Sequence, residues 1–374
     1  MSRAVRCLLA GLLAGLLAGC AVPGAVGDPV RSAAAPIFRN AYPADGDRGV
    51  RAPAWYFLRR AWVQLTRDED ATPLPPTVPL DLAHMATRPF AVAWLGHSTL
   101  LIRAGDRWLL TDPVLSDYAT SLPPFGPRRL TPLPLSIADL PRIDTVLVSH
   151  DHFDHLDLPT VRALAAQPGG PPRFLVGRGL GAWFAEHVGT AAHEFDWWDQ
   201  SDDGALGFAF VPAQHSSGRS PAARNRTLWG GWVITLRGAG GDRRLYFAGD
   251  TAYSAPLFRD ILACHGPFAL AALPIGAYTP RAWMRFEHTD PAEALQAQAD
   301  LGGPPAIGIH WATFQLGDEE PSQPQRDLEQ AARQRGVSSF TTLPVGGWID
   351  VTGSPPWRAS SHATQSDAAT PRCT

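Results

Sequence analysis

Short apolar runs, rich in Val, Ile, Leu and Phe and closed by Gly, Pro, Asp or His, recur from residue 91 onward. Runs of that length and composition, bounded by turn residues, read as buried strands. They predict strands at 91–95, 99–103 and 108–111, the last two joined across Ala104-Gly105-Asp106 as a hairpin. Further strands are predicted at 145–149, 174–176, 207–211, 232–236, 245–248, 270–273 and 306–309. Helical signals lie between them, at 158–166 and 325–334, the second closed by Gly336. Asp290-Pro291-Ala292-Glu293 is a strong helix start, with a capping aspartate, a proline in the first turn and a glutamate placed to reach back. That helix runs to about Leu301, where Gly302-Gly303-Pro304 stops it. The mixture predicts two packed sheets flanked by helices.

The ends of the chain read differently. Residues 21–50, rich in Ala, Gly, Pro and Asp, read as a linker. Residues 51–67 carry Trp55, Tyr56, Phe57 and Trp62 and are expected to pack as a short helix. Leu74-Pro75-Pro76-Thr77-Val78-Pro79 excludes regular structure. Beyond Gly353 the chain turns to Ser, Ala, Thr and Pro and is expected to be disordered. The expected organisation is a signal peptide at 1–20, the linker at 21–50, one folded domain at 51–353 and a tail at 354–374.

The signal reading rests on Arg3 and Arg6 followed by an apolar run over 8–17, too short to span a membrane. It ends Leu17-Ala18-Gly19-Cys20, similar to the lipobox of bacterial lipoproteins, in which the cysteine receives lipid; ordinary secretion with cleavage nearby is the alternative. Ala21 in place of an aspartate implies sorting to the periplasmic face of the outer membrane of a Gram-negative cell. Of the four cysteines, Cys7 leaves with the signal and Cys20 carries lipid. A disulfide between Cys264 and Cys373 is compatible with an oxidising compartment, but nothing in the sequence indicates it. A net charge of −3 over 374 residues offers no basic patch for nucleic acid.

The chemistry concentrates in His150-Asp151-His152-Phe153-Asp154-His155, directly after the apolar run 145–149. Imidazole nitrogen and carboxylate oxygen are the ligands that zinc and neighbouring divalent metals accept. A merely solvated loop has no need of them at this density. Three later strand-like runs end in His215, Asp250 and His310. Each residue alone reads as structural, but sheets place their strand ends side by side, so the set can converge.

This pattern resembles the metallo-β-lactamase superfamily, whose fold is a four-layer αββα sandwich with a dinuclear site. The resemblance implies that His150, His152 and His215 bind one metal, that Asp154, His155 and His310 bind a second, and that Asp250 bridges them. Zinc is the first choice for both ions. Narrower motifs include Leu110-Thr111-Asp112-Pro113, Glu194-Phe195-Asp196-Trp197-Trp198, Leu228-Trp229-Gly230 and Phe247-Ala248-Gly249-Asp250-Thr251. With Pro274-Ile275-Gly276-Ala277-Tyr278, Glu287-His288-Thr289-Asp290-Pro291 and Ile309-His310-Trp311 they resemble the N-acylphosphatidylethanolamine-hydrolysing phospholipase D family, from about Trp94 to Gly347.

That likeness implies a metal-dependent phosphodiesterase acting on a phospholipid or lipid-like substrate, with a metal-bridging hydroxide as nucleophile. Gly-x-Ser-x-Gly is absent, so no serine nucleophile is indicated. Asp154, Asp112 and His288 are the expected catalytic groups beside the ligands. Asp112 reads as a carboxylate orienting a ligand histidine, or else as a turn former. His288 reads as a donor to phosphate or a proton source for the leaving group, or else as a histidine at a helix start without chemistry. His97 is expected to pack or to support a ligand; His84, His187, His193, His265 and His362 are treated as structural. Trp197, Trp198, Trp229, Trp232, Tyr253, Tyr278, Trp283 and Trp311 are expected mostly in the core, a few lining an acyl groove, with Arg281 and Arg285 near the phosphate or membrane surface. Two rivals share the sequence: a lactonase or other ester hydrolase on the same site, and an envelope lipoprotein that binds without catalysis. Oligomeric state is not legible.

Overall fold

The computed structural model describes residues 37–42, 55, 59, 74–352 and 373. The expected signal peptide, most of the expected linker and helix at 51–67, and all but Cys373 of the expected tail lie outside them.

The first sheet contains β1 (Phe90–Trp94), β2 (Leu100–Ala104), β3 (Arg107–Thr111), β4 (Thr145–Leu147), β5 (Arg173–Gly177) and β6 (Ala192–Phe195), with β14 (Trp348–Asp350) on its edge beside β1. The second contains β7 (Gln200–Asp202), β8 (Leu206–Pro212), β9 (Gly230–Leu236), β10 (Arg243–Phe247), β11 (Leu270–Pro274), β12 (Ala306–Ile309) and β13 (Phe340–Thr341), in the order β13-β12-β11-β10-β9-β8-β7. The predicted hairpin is β2–β3, paired antiparallel from Leu100 opposite Thr111 to Ala104 opposite Arg107. The short strands β6, β7, β13 and β14 escaped the sequence reading.

The layering is written in the strands. Along β1, Phe90, Val92 and Trp94 join the core shared by the two sheets, while Ala91 and Ala93 join the core on the outer face of the first sheet. A strand covered on both faces shows a continuous apolar run instead of alternation. The outer core is closed by α2 (Leu158–Ala165) and α3 (Gly181–His187), through Val161, Leu164, Trp183 and Phe184. The short α1 (Leu82–Ala86) adds Met85. On the far side α4 (Ala255–His265), α6 (Pro291–Asp300) and α7 (Gln323–Arg335) cover the second sheet with Leu257, Phe258, Leu295 and Leu328. The fold is an αββα sandwich. The single turn α5 (Arg281–Met284) buries none of its side chains.

The helix at Asp290 forms as its sequence predicts: Asp290 accepts from the Glu293 amide at 2.8 Å and Glu293 accepts from the Asp290 amide at 3.1 Å. Cys264, on α4, is joined to Cys373 by a disulfide. Within the expected linker, Phe38 and Tyr42 are buried against the core and Asn40 reaches the end of β8.

Sheet direction positions the site. Strands β3 to β6 run parallel, as do β10 to β13, and β8 runs parallel to β10 because each is antiparallel to β9. The carboxyl ends of β3, β4, β8, β10 and β12 therefore deliver Asp112, the 150–155 cluster, His215, Asp250 and His310.

Candidate metal centre

The backbone at these strand ends is bent out of ordinary conformations. His97, Asp112 and His310 have φ of 52°, 35° and 62°, left-handed values that cost a non-glycine residue roughly 1–2 kcal/mol each. Such strain gathers where the surrounding structure fixes a side chain for chemistry. Gly249, immediately before Asp250, has φ 60° and leaves no room for a side chain, since a Cβ there would lie 2.7 Å from Ser149 Cβ.

Two clusters result. His150 Nε2 lies 2.9 Å from His152 Nδ1, and His215 Nε2 lies 3.3 Å from the same atom. In the second, Asp154 Oδ2 lies 3.3 Å from both His155 Nε2 and His310 Nε2. Asp250 Oδ2 sits between them, 3.1 Å from His155 and His310, 3.7 Å from His215 and 3.9 Å from His150. All seven residues expected as ligands are thus brought together, in two groups that meet at Asp250. Ligand atoms within each of the sets His150/His152/His215 and His97/Asp154/His155/His310 lie within 4.8 Å of one another.

Hydrogen bonds set the ring tautomers. His155 Nδ1 donates to Asp112 Oδ2 at 2.6 Å, and His215 Nδ1 donates to the Glu287 carbonyl at 2.9 Å. The single proton of the Ser149 hydroxyl goes to Asp112, so Ser149 Oγ accepts from His150 Nδ1 at 2.9 Å. Each arrangement keeps the proton on Nδ1 and turns Nε2 inward, so that Nε2 is the atom a metal would take in place of a proton. His155 Nε2, His310 Nε2 and Asp250 Oδ1 have no hydrogen-bond partner although they are buried. The close Nε2 to Oδ2 approaches of His155 and His310 are not aligned as hydrogen bonds. Converging lone pairs repel unless a proton or a metal cation lies between them. Borderline nitrogen and hard oxygen donors suit zinc. The residues fit metal.

Electrostatics agree. Burial alone would raise the carboxyl groups of Asp154 and Asp250, but the surrounding imidazoles, His155 foremost, hold both well below the usual range. Burial would lower His155 and His310; Asp250 and Asp154 reverse this, holding His155 well above 6.5 and His310 at about 9. The cavity demands positive charge, by protons or by metal. His150, His152, His215 and His288 are pushed down by burial, His215 to about 4.

The supporting residues divide into those anticipated and those missed. Asp112 is fully buried and holds His155, as the orienting role requires. His97, lowered to about 3 by burial and by His310, donates from Nε2 to Asp154 at 2.9 Å, so it supports a ligand. His288 Nδ1 lies 3.8 Å from Asp250 and has no hydrogen-bond partner. Asn40, Ser149 and Glu287 were missed. Asn40 Oδ1 accepts from the His215 amide, and Glu287 binds Ser216 and Arg224 through its carboxylate. Nothing in the sequence around Asn40 distinguishes it, whereas the neighbour of His288 invited inspection.

Arg281 is tied to Glu293 and to the His288 carbonyl, and Arg285 lies over Phe286. Trp229, Trp232, Tyr278 and Trp311 are buried, and Tyr253 and Tyr278 bond Asp300 and Asp327, the core placement expected for most of these aromatics. His84 meets Trp348 edge-on, and His187 and His265 stack on Trp183 and Trp198; His362 lies outside the described residues.

Comparison with known proteins agrees with the geometry. Residues 107–311 match the family model of the beta-lactamase superfamily domain. An uncharacterized protein of Mycobacterium tuberculosis is 40% identical over 290 residues, 76% of this chain and 74% of that one. N-acyl-phosphatidylethanolamine-hydrolyzing phospholipase D 1 of Caenorhabditis elegans is 35% identical over 269 residues, 68% of this chain and 73% of its own. In fold, a possible metal-dependent hydrolase of Veillonella parvula superposes with a TM-score of 0.56 at 14% identity, covering 70% of this chain and 99% of that one.

Proposed function

Because this chain belongs to the metallo-β-lactamase superfamily and is a metal-dependent hydrolase, we propose that it cleaves phosphodiester bonds of phospholipids in the manner of a phospholipase D, with N-acylphosphatidylethanolamine or a related lipid as substrate. The observation that carries the binuclear part is the place of Asp250 Oδ2, within 4 Å of histidines from both clusters. The likeness to the nematode phospholipase supports the substrate class. Two divalent cations, zinc first, would supply the charge that lowers the pKa of a water toward neutrality and that receives negative charge building on phosphorus.

The chain's own residues do the rest. His150, His152 and His215 would hold one cation, Asp154, His155 and His310 the other, with Asp250 shared. Asp112 and His97 fix His155 and Asp154. The His288 ring, kept neutral by burial, is suited to donate its N–H to a phosphoryl oxygen. Half-buried His152 and Asp154 mark the side from which substrate enters. A lipid on Cys20 would keep the enzyme at the bilayer of the outer membrane, facing the periplasm. The Cys264–Cys373 disulfide supports an oxidising compartment.

The test is turnover by purified metal-loaded protein on N-acylphosphatidylethanolamine, ordinary phospholipids, an artificial phosphodiester and a lactone panel. Phosphodiester cleavage, abolished in His152→Ala and Asp250→Ala, is the expected result. Lactone hydrolysis without phosphodiester hydrolysis overturns the substrate class, and full activity in both variants overturns the site.

A further inference from the structure

The loop that carries His150, His152, Asp154 and His155 is held by a residue outside it. Arg219 stands four positions after His215, and its Nη1 donates to the Asp151 carbonyl at 2.9 Å and to the Leu156 carbonyl at 2.8 Å. Those two carbonyls bracket His152, Asp154 and His155, so one nitrogen closes the loop at both ends. The guanidinium carbon lies 3.9 Å from the centre of the Phe153 ring, in the middle of the same loop, and 5.3 Å from that of Trp183 on α3. The preceding residue adds a third tie, the Gly218 amide donating to Asp151 Oδ1 at 2.6 Å. Asp151 is buried, although it is not an expected ligand, and this bond gives its carboxylate a partner.

Residues 151–156 lie between β4 and α2 without helix or strand of their own. Within the turn, the His155 and Leu156 amides donate to the His152 carbonyl. A guanidinium suits the remaining task, because its donors are fixed in a plane and that plane also packs on an aromatic face. Arg219 belongs to the segment after β8 that carries His215, so the brace joins ligand-bearing loops of the two sheets. Charge alone would argue against it. A cation beside a site that takes two dications opposes their binding. Loss of that charge should therefore tighten zinc, whereas loss of the brace should loosen it.

We propose that Arg219 is a positioning residue of the metal centre: through the Asp151 and Leu156 carbonyls it fixes the 151–156 loop in the shape that presents its ligands to both cations. This role rests on the ligand set assigned above and not on the choice of substrate.

Full-length parent, Arg219→Gln and Arg219→Lys are freed of metal and titrated with zinc against a chromophoric chelator. Glutamine removes both the charge and the fork; lysine keeps the charge, reaches less far and has no plane to lay on Phe153. Zinc affinity should fall by about tenfold or more in Arg219→Gln, and by less in Arg219→Lys. With cobalt in place of zinc, the visible absorption, which follows ligand geometry, should differ from the parent's in both variants. Melting of the metal-free proteins shows whether each is folded, and if Arg219→Gln is not, the comparison is read on Arg219→Lys. Zinc binding that is unchanged or tighter, with the parent's cobalt spectrum, overturns the proposal even where the melting temperature drops. A raised KM with zinc affinity intact also overturns it, being the sign of an arginine that binds the substrate phosphate. A parent chain that takes up no zinc overturns the metal reading itself.

Discussion

Asp112 and His155 form the most enclosed ion pair of the site: the carboxylate lies 2.6 Å from Nδ1 and neither side chain has any solvent exposure. Asp112 also binds the amide and hydroxyl of Ser149, which in turn orients His150. One carboxylate thereby aims a ligand of each cluster. Asp112→Asn, nearly isosteric, should weaken metal binding by about 10–100-fold and reduce turnover in proportion. A metal titration checks this, since a purely structural aspartate would change thermal stability and leave metal affinity alone.

The metal-free protein should be most stable near pH 6.5. His215 and His97 are lowered to about 4 and about 3, so below 6.5 the unfolded chain takes protons that the folded one refuses. Stability then falls with pH, by up to about 1.4 kcal/mol per group per pH unit. His310, raised to about 9, acts oppositely: its contribution is complete below 6.5 and is lost as pH rises toward 9. Bound metal takes the place of that proton, so zinc should flatten the alkaline arm. Melting temperatures of chelated and zinc-loaded protein at pH 5, 6.5 and 9, three points spanning those pKa values, check the sign on each side.

Gly276 allows the loop after β11 to pass the β12 end. A Cβ there would lie 1.9 Å from the His310 carbonyl oxygen, a backbone atom that cannot swing aside. Gly276→Ala should cost about 1–3 kcal/mol and displace His310. Chemical denaturation and metal content together check it: loss of stability with both metals retained contradicts the placement.

The disulfide closes a loop of 109 residues. Cys373→Ser should lower stability by about 2–4 kcal/mol and leave turnover intact, because Cys264 lies on α4, which supplies none of the expected ligands. Denaturation with and without reductant measures it.

The convergence of the seven expected ligands and Asp112 was legible because a β-branched or aromatic run followed by a histidine or aspartate marks a strand end, and strand ends of one sheet converge. The layering was legible for the related reason that β1 and β8 are apolar throughout. Asn40 was illegible: it acts across 175 residues of sequence, from a stretch with linker composition. The disulfide was hidden likewise, since cysteine spacing carries no information about distance in space. β6 and β7 are short and polar, with His193, Glu194, Gln200 and Asp202 in them, so no apolar period announced them. The pairing of Arg281 with Glu293 of the Asp290 helix start was not announced by any motif either.

The central claim is that two cations share Asp250. Its most direct test is to chelate the purified protein and restore phosphodiesterase activity with zinc in measured equivalents. Activity that climbs to a break at two zinc ions per chain, with Asp250→Ala failing to reach that stoichiometry, is the predicted result. A break at one ion, or activity indifferent to zinc, contradicts it.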